Sequence, residues 1–76
     1  MKEILEHIVK SLVRDKNSVV INEEVNDKLV RYVVSVAKED YGRIIGHGGK
    51  IATSIRNIMG AIATIKEVKV IVDIKW

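Results

Sequence analysis

Gly42-Arg43-Ile44-Ile45-Gly46-His47-Gly48-Gly49-Lys50-Ile51 holds four of the five glycines in the chain. Glycine belongs where φ must turn positive or where another group must come close to the backbone. Directly after this stretch, Lys50 to Ile65 has the apolar spacing of one amphipathic helix. A loop poor in Cβ atoms that opens a helix brings several main-chain N–H groups to one point, an arrangement suited to an anion and above all to a phosphate. Two common phosphate loops do not fit. G-x-x-x-x-G-K-[ST] would need glycine at Ile44 and a hydroxyl at Ile51, and G-x-G-x-x-G starting at Gly46 would need glycine at Ile51. What fits is an apolar pair followed by G-x-x-G, at Gly46 to Gly49, between a short helix and a long one.

The flanking segments have clear periodicities. Ile51, Ile55, Ile58, Ile62 and Ile65 form a stripe expected to face a sheet, with Ala52, Met59 and Ala63 on one flank and Ala61 on the other. This arc is broader than a single sheet contact requires. Gly60 costs such a helix ~1 kcal/mol relative to alanine, either to permit close packing or as a tolerated flaw. Val68, Val70, Val72 and Ile74 alternate with Lys69, Ile71, Asp73 and Lys75, a strand. Lys38 to Ile45 reads as a short helix with Glu39 and Asp40 at its positive end. Upstream, Lys28 to Ala37 is a strand with Val30, Tyr32, Val34 and Val36 on one face, paired through an Asn26-Asp27 turn with a strand from Ser18 to Val25. Val19, Ile21 and Val25 share a side of that first strand, interrupted by Glu23. Lys2 to Arg14 is an amphipathic helix with Ile4, Leu5, Ile8, Val9, Leu12 and Val13 inward. The helix-strand-strand-helix-helix-strand order, with a right-handed crossover, predicts a two-layer α/β (α+β) domain. Its sheet is three-stranded and mixed, with the helices on one face.

The 76 residues suffice for one small domain, 1–76, and the 47% apolar content suits a globular chain. There is no cysteine and hence no disulfide framework or thiolate metal site. The first residues mix acids and bases among apolar positions, unlike a signal peptide or a membrane span. A soluble, cytoplasmic protein without membrane insertion is expected. The net charge is only +3, but it is unevenly spread. No acid occurs from Tyr41 to Lys66, where Arg43, Lys50, Arg56 and Lys66 stand, so positive potential gathers on the glycine loop and the helix after it.

The loop resembles the GXXG signature of KH domains, which clamps the backbone of about four nucleotides of single strand. The element order is similar to the type II KH fold over the whole chain. Val36-Ala37-Lys38-Glu39-Asp40-Tyr41-Gly42-Arg43-Ile44-Ile45-Gly46 and Ile51-Ala52-Thr53-Ser54-Ile55-Arg56 resemble V-A-P-E-D-L-G-K-V-I-G and T-A-K-A-I-R of the small stand-alone bacterial KH proteins, the KhpA family. That resemblance implies a single-strand RNA binder, acting as a homodimer and with a larger KH partner protein (KhpB, or Jag), with effects on cell elongation and division. Two departures stand out. Lys38 replaces the usual proline, and His47-Gly48 fill the variable loop positions where at least one Lys or Arg is usual.

The resulting expectation is non-catalytic RNA binding, with no cofactor, metal or catalytic residue. Gly46 and Gly49 admit the sugar–phosphate backbone, and Gly42 keeps the preceding helix low. His47 and Gly48 form the tip, and His47 offers one neutral donor. Arg43, Lys50 and Arg56 neutralise phosphates, although Arg56 is equally readable as a solvated charge. Ile45 and Ile51 serve either as core or as an apolar floor under the bases. Tyr32, Tyr41 and Trp76 are scattered along the chain, so no aromatic stacking platform is expected. The alternative is a dimerisation module with auxiliary RNA binding, its contacts drawn from Ala52, Met59, Gly60 and Ala63.

Overall fold

A computed structural model describes the main chain from Met1 to Trp76 and every side chain except that of His47. The elements are α1 (Lys2–Leu12), β1 (Val20–Asn26), β2 (Leu29–Ser35), α2 (Lys38–Ile45), α3 (Lys50–Ile65) and β3 (Lys69–Lys75). Short 3-10 turns at Lys16–Ser18 and His47–Gly49 precede β1 and α3. The sheet order is β1-β2-β3, with β1 antiparallel and β3 parallel to β2. This is the expected order of elements and the expected mixed sheet. Where boundaries differ they do so by one or two residues, in α1 and the strands, while α2 and α3 have the expected limits.

Alternation decides what each strand buries. Val30, Tyr32 and Val34 of β2 and Val72 of β3 face the helices, joined by Leu5 and Val9 of α1 and Ile44 of α2. Glu23, which interrupts the apolar face of β1, lies opposite Tyr32 and accepts the Tyr32 hydroxyl at 2.8 Å. An apparent flaw in the pattern thus satisfies a buried hydroxyl. Val25, expected inside with Ile21, is exposed beside the hairpin turn. On the uncovered face, Arg31 donates through Nε and Nη2 to Asp73 Oδ2 at 2.9 and 2.6 Å, tying β2 to β3.

The long helix corrects the sequence expectation. Its buried line is Ala52, Ile55, Met59 and Ala63, while Ile58 is 45% and Ile65 82% exposed. The whole isoleucine stripe therefore does not face the sheet; α3 is rotated so that the adjoining line does. Two small alanines in that line let the helix axis approach the strands, and α1 packs beside it. Side-chain size alone does not choose between adjacent apolar lines. Ala52, Met59 and Ala63 consequently lie inside the monomer, Met59 at 0% exposure, and are unavailable as contacts between copies. Gly60 is half-buried, with no heavy atom within 4 Å of the position a Cβ would take, so close packing does not explain it.

The end of α3 fixes where β3 begins. Glu67 adopts φ 59°, and the Glu67 and Val68 N–H groups donate to Thr64 and Ala63 carbonyls at 3.1 and 2.9 Å. This is a Schellman turn with glutamate where glycine is usual. It sends the chain straight into β3, whose first N–H, on Lys69, donates to the Lys28 carbonyl at 2.8 Å.

Candidate nucleic-acid interface

The glycine loop is built by two requirements that a side chain would not meet. A Cβ on Gly46 would lie 2.8 Å from the Gly42 carbonyl oxygen, too close to be accommodated by backbone. Gly48 and Gly49 have φ of 69° and 74°, the left-handed region. Gly46 N–H donates to Gly42 O at 2.9 Å and Gly49 N–H to Gly46 O at 3.2 Å. These two amides close the turn internally, so the flanking glycines shape the cradle rather than supply its donors. Gly48 stands exposed at the tip and Gly46 and Gly49 are half-exposed. The His47 side chain lies outside the described residues. Gly42 is exposed, and a Cβ there would meet no heavy atom within 4 Å, which leaves open space above that turn of α2.

Ile45 and Ile51 flank the loop half-buried, packed against the core with part of each side chain left at the surface. Lys50, at the start of α3, is exposed. Arg56, two turns along, is held across the domain: its Nε donates to the Val72 carbonyl at 3.1 Å. Because β3 is an edge strand, this bond marks the free edge of β3 as the wall facing α3. A shallow cleft lined by Arg56, Val70, Ile71, Val72 and Asp73 lies there. The sequence did not suggest this wall, since the pairing of Arg56 with a strand sixteen positions on has no local signature.

Arg43 differs from its expected role. Its guanidinium pairs with Asp40, one turn earlier on α2, and is not a free phosphate ligand. Asp40, 2% exposed, accepts from the Arg14 N–H at Oδ1 and the Asp15 N–H at Oδ2, each at 3.0 Å. The Arg14 bond holds its carboxyl below the usual carboxylate range, helped by the Asp15 bond and by Arg43, while burial pushes the other way. A residue read from sequence as helix punctuation therefore pins α2 to the turn after α1 and sets the position of the loop. The i,i+3 spacing of Asp40 and Arg43 was the available signal.

Tyr41 and Trp76, far apart in sequence, meet in the fold, with ring centroids 6.5 Å apart and planes tilted by 56°. Lys38 Nζ lies 4.9 Å from the centroid of the Trp76 ring. The expectation of dispersed aromatics thus fails for this pair. Among the described residues, no group of three His, Cys, Asp or Glu side chains is placed to hold a metal ion.

A glycine turn opens α3, two half-buried isoleucines flank it, and the free edge of β3 lies alongside at Arg56. The family model described as KhpA/KhpB, KH domain, matches residues 2–74. This chain belongs to the KhpA/KhpB KH-domain family. It is 40% identical over 74 residues to a protein named RNA-binding protein KhpA from Listeria monocytogenes, covering 97% of each chain. Proteins of the same name from Clostridium perfringens and Chlamydia pneumoniae are 39% and 38% identical, with 97% of this chain covered and 99% and 95% of theirs. No solved structure matches the chain. As a KhpA/KhpB-type domain it has the type II KH order, α-β-β-α-α-β, and the G-x-x-G turn falls between its second and third helices.

Proposed function

We propose that this chain binds single-stranded RNA by its backbone, without altering it chemically. The observation that carries this reading is the exposed glycine turn at the head of an acid-free stretch. The nearest buried carboxylate, Asp40, is directed to Arg14, Asp15 and Arg43, away from that turn's tip. Gly46, Gly48 and Gly49 let a sugar–phosphate chain lie against the main chain. Lys50 and Arg56 supply positive charge, and Ile45 and Ile51 offer an apolar floor to the bases. Gly42 leaves room above α2, and Arg43 sets the position of α2 through Asp40. The relatives' shared name, RNA-binding protein KhpA, supports the same ligand. With no fixed charge at the two variable loop positions, one copy binds weakly and with little sequence preference. The resemblance to the KhpA family extends the proposal to an RNA chaperone or post-transcriptional regulator in the cytoplasm, with effects on cell elongation and division.

Gly48→Asp puts an anion at the tip, and Gly48→Asn supplies the same shape without the charge. Both residue types tolerate left-handed φ. In fluorescence anisotropy with a labelled unstructured RNA, Gly48→Asp lowers affinity by tenfold or more and Gly48→Asn by much less. Equal affinity of wild type and a folded Gly48→Asp would exclude the loop as the site.

Weak single-copy binding favours pairing, either of two copies or with a larger KH protein of the KhpB type, because linked grooves gain avidity. The exposed isoleucines of α3, Ile58 and Ile65, favour this second part of the reading and replace the buried Ala52, Met59 and Ala63 as contacts. Ile58→Glu is expected to yield a folded monomer in analytical ultracentrifugation, whereas Met59→Glu unfolds the domain. A wild type already monomeric at micromolar concentration would remove the homodimer from the proposal.

A further inference from the structure

Trp76 is the one tryptophan in the chain, and it lies 63% exposed just beyond β3. Large aromatic side chains usually bury most of their surface, so a tryptophan held in place yet open to solvent calls for a reason. It is held in place. The Lys75 carbonyl before it accepts the Val36 N–H at 3.0 Å, which fastens the end of β3 to the end of β2. Tyr41 packs at 6.5 Å and Lys38 Nζ at 4.9 Å from its ring. Both partners come from the first turn of α2, the helix that leads into the glycine loop.

Its position relative to the groove follows from strand geometry. Val70, Val72 and Ile74 point their side chains toward the helices, and alternation carries Trp76 to the same side. Val72 is where Arg56 reaches the free edge of β3. Trp76 lies four residues on, about 13 Å along the same edge. A strand of RNA crossing the loop and following this wall would therefore pass from Arg56 to the indole ring. There it would meet an exposed indole that carries the Lys38 ammonium over one of its faces and leaves the other for a base.

We propose that Trp76, positioned by Tyr41 and Lys38, is a base-stacking step at the end of the groove, where one unpaired nucleobase stacks on the indole and its phosphate meets Lys38. The proposal rests on the RNA-binding reading above and adds a subsite to it. It also gives a role to Lys38, at the position where the resembling proteins usually have proline. A stacking ring and a lysine there compensate in part for a loop tip without Lys or Arg. Base–aromatic stacking tolerates any sequence, since every base has a π-face.

Trp76 reports on itself. An unstructured RNA octamer labelled with fluorescein is followed by anisotropy while a matching unlabelled titration follows tryptophan emission and its quenching by acrylamide. The expected result is an emission change and protection from acrylamide with the same midpoint as the anisotropy curve. Trp76→Ala is expected to weaken binding about tenfold, while Trp76→Phe stays within about threefold of wild type. Binding by anisotropy with unaltered emission and unaltered acrylamide access would overturn the stacking step and leave the loop reading intact. An absence of anisotropy change in the wild type would instead remove the RNA-binding reading, and this proposal with it. An emission shift that depends on protein concentration alone, without RNA, would assign the ring to a contact between copies and likewise overturn it. Because the emission experiment needs only the wild type, it decides the matter even where Trp76→Ala fails to fold.

Discussion

Asp40 shows how much one side chain can hold. Its carboxylate, itself almost closed to water, receives two main-chain N–H groups and the guanidinium of the more exposed Arg43. A carboxyl whose folded value is depressed stabilises the fold above its unfolded value, near 3.9, and that contribution disappears as pH falls through the folded value. Thermal stability is therefore expected to decline as pH falls below about 5 and on through the depressed folded value. Asp40→Asn should melt lower than wild type at neutral pH and show a flatter acid limb in circular dichroism melts. Equal acid limbs would mean that other carboxylates carry the effect. The same variant frees Arg43, so any gain in RNA affinity at unchanged helicity would reveal the charge that Asp40 now occupies.

At the level of the element, α3 carries two residues that each suit the other's position. Gly60 sits in mid-helix with open space where a Cβ would be, and Glu67 sits in the left-handed cap where glycine is at ease. Gly60→Ala should stabilise by about 1 kcal/mol, the helix-propensity difference, and Glu67→Gly by a similar amount, since a non-glycine residue in that region costs about 1 kcal/mol. For a domain of this size 1 kcal/mol moves the melting temperature by about 4–8 °C. The two sites share no partner, so the double variant should show the sum. A neutral Gly60→Ala would indicate that the glycine serves a contact outside the monomer.

For the whole molecule, the layout of charge sets the strength and salt dependence of binding. With Arg43 engaged by Asp40, Lys50 and Arg56 are the cations at the groove, and Lys38 joins them if the strand reaches Trp76. Single-strand binding loses about 0.7 in log–log salt slope per phosphate contact, which predicts about −1.4 for the first two and about −2 with Lys38. Titrations at several salt concentrations check this, and a slope near −2.8 would mean that Arg43 leaves Asp40 to take a fourth phosphate. Among the described residues no helix is long and apolar enough to cross a membrane, so the exposed apolar surface of α1 and α3 is not that of a spanning helix.

Local chemistry was enough to read much of this domain. Alternation along β2 and β3, the 3.6-residue repeat in the helices and the turn signal at Asn26-Asp27, one residue before the observed turn at Asp27-Lys28, act between near neighbours, so the six elements and their order could be read before any contact was known. So could the place of the turn, because positive φ at Gly48 and close approach at Gly46 demand glycine wherever the chain goes. Ile45 and Ile51 were legible only as a choice between core and floor, and the structure leaves each half-buried against the core with part of its side chain at the surface. Tertiary structure alone chose which line of α3 faces the sheet, since Ile58 and Met59 are equally apolar and only the fit of Ala52 and Ala63 against the strands separates them. It alone set the exposed Arg43 against the buried Asp40, fastened Arg56 to Val72 and brought Trp76 to Tyr41. Asp40 and Arg43 at least share an i,i+3 spacing. The other meetings join residues whose spacing in sequence carries no periodic signal, and the energies of all of them depend on burial and distance, which exist only once the layers have packed.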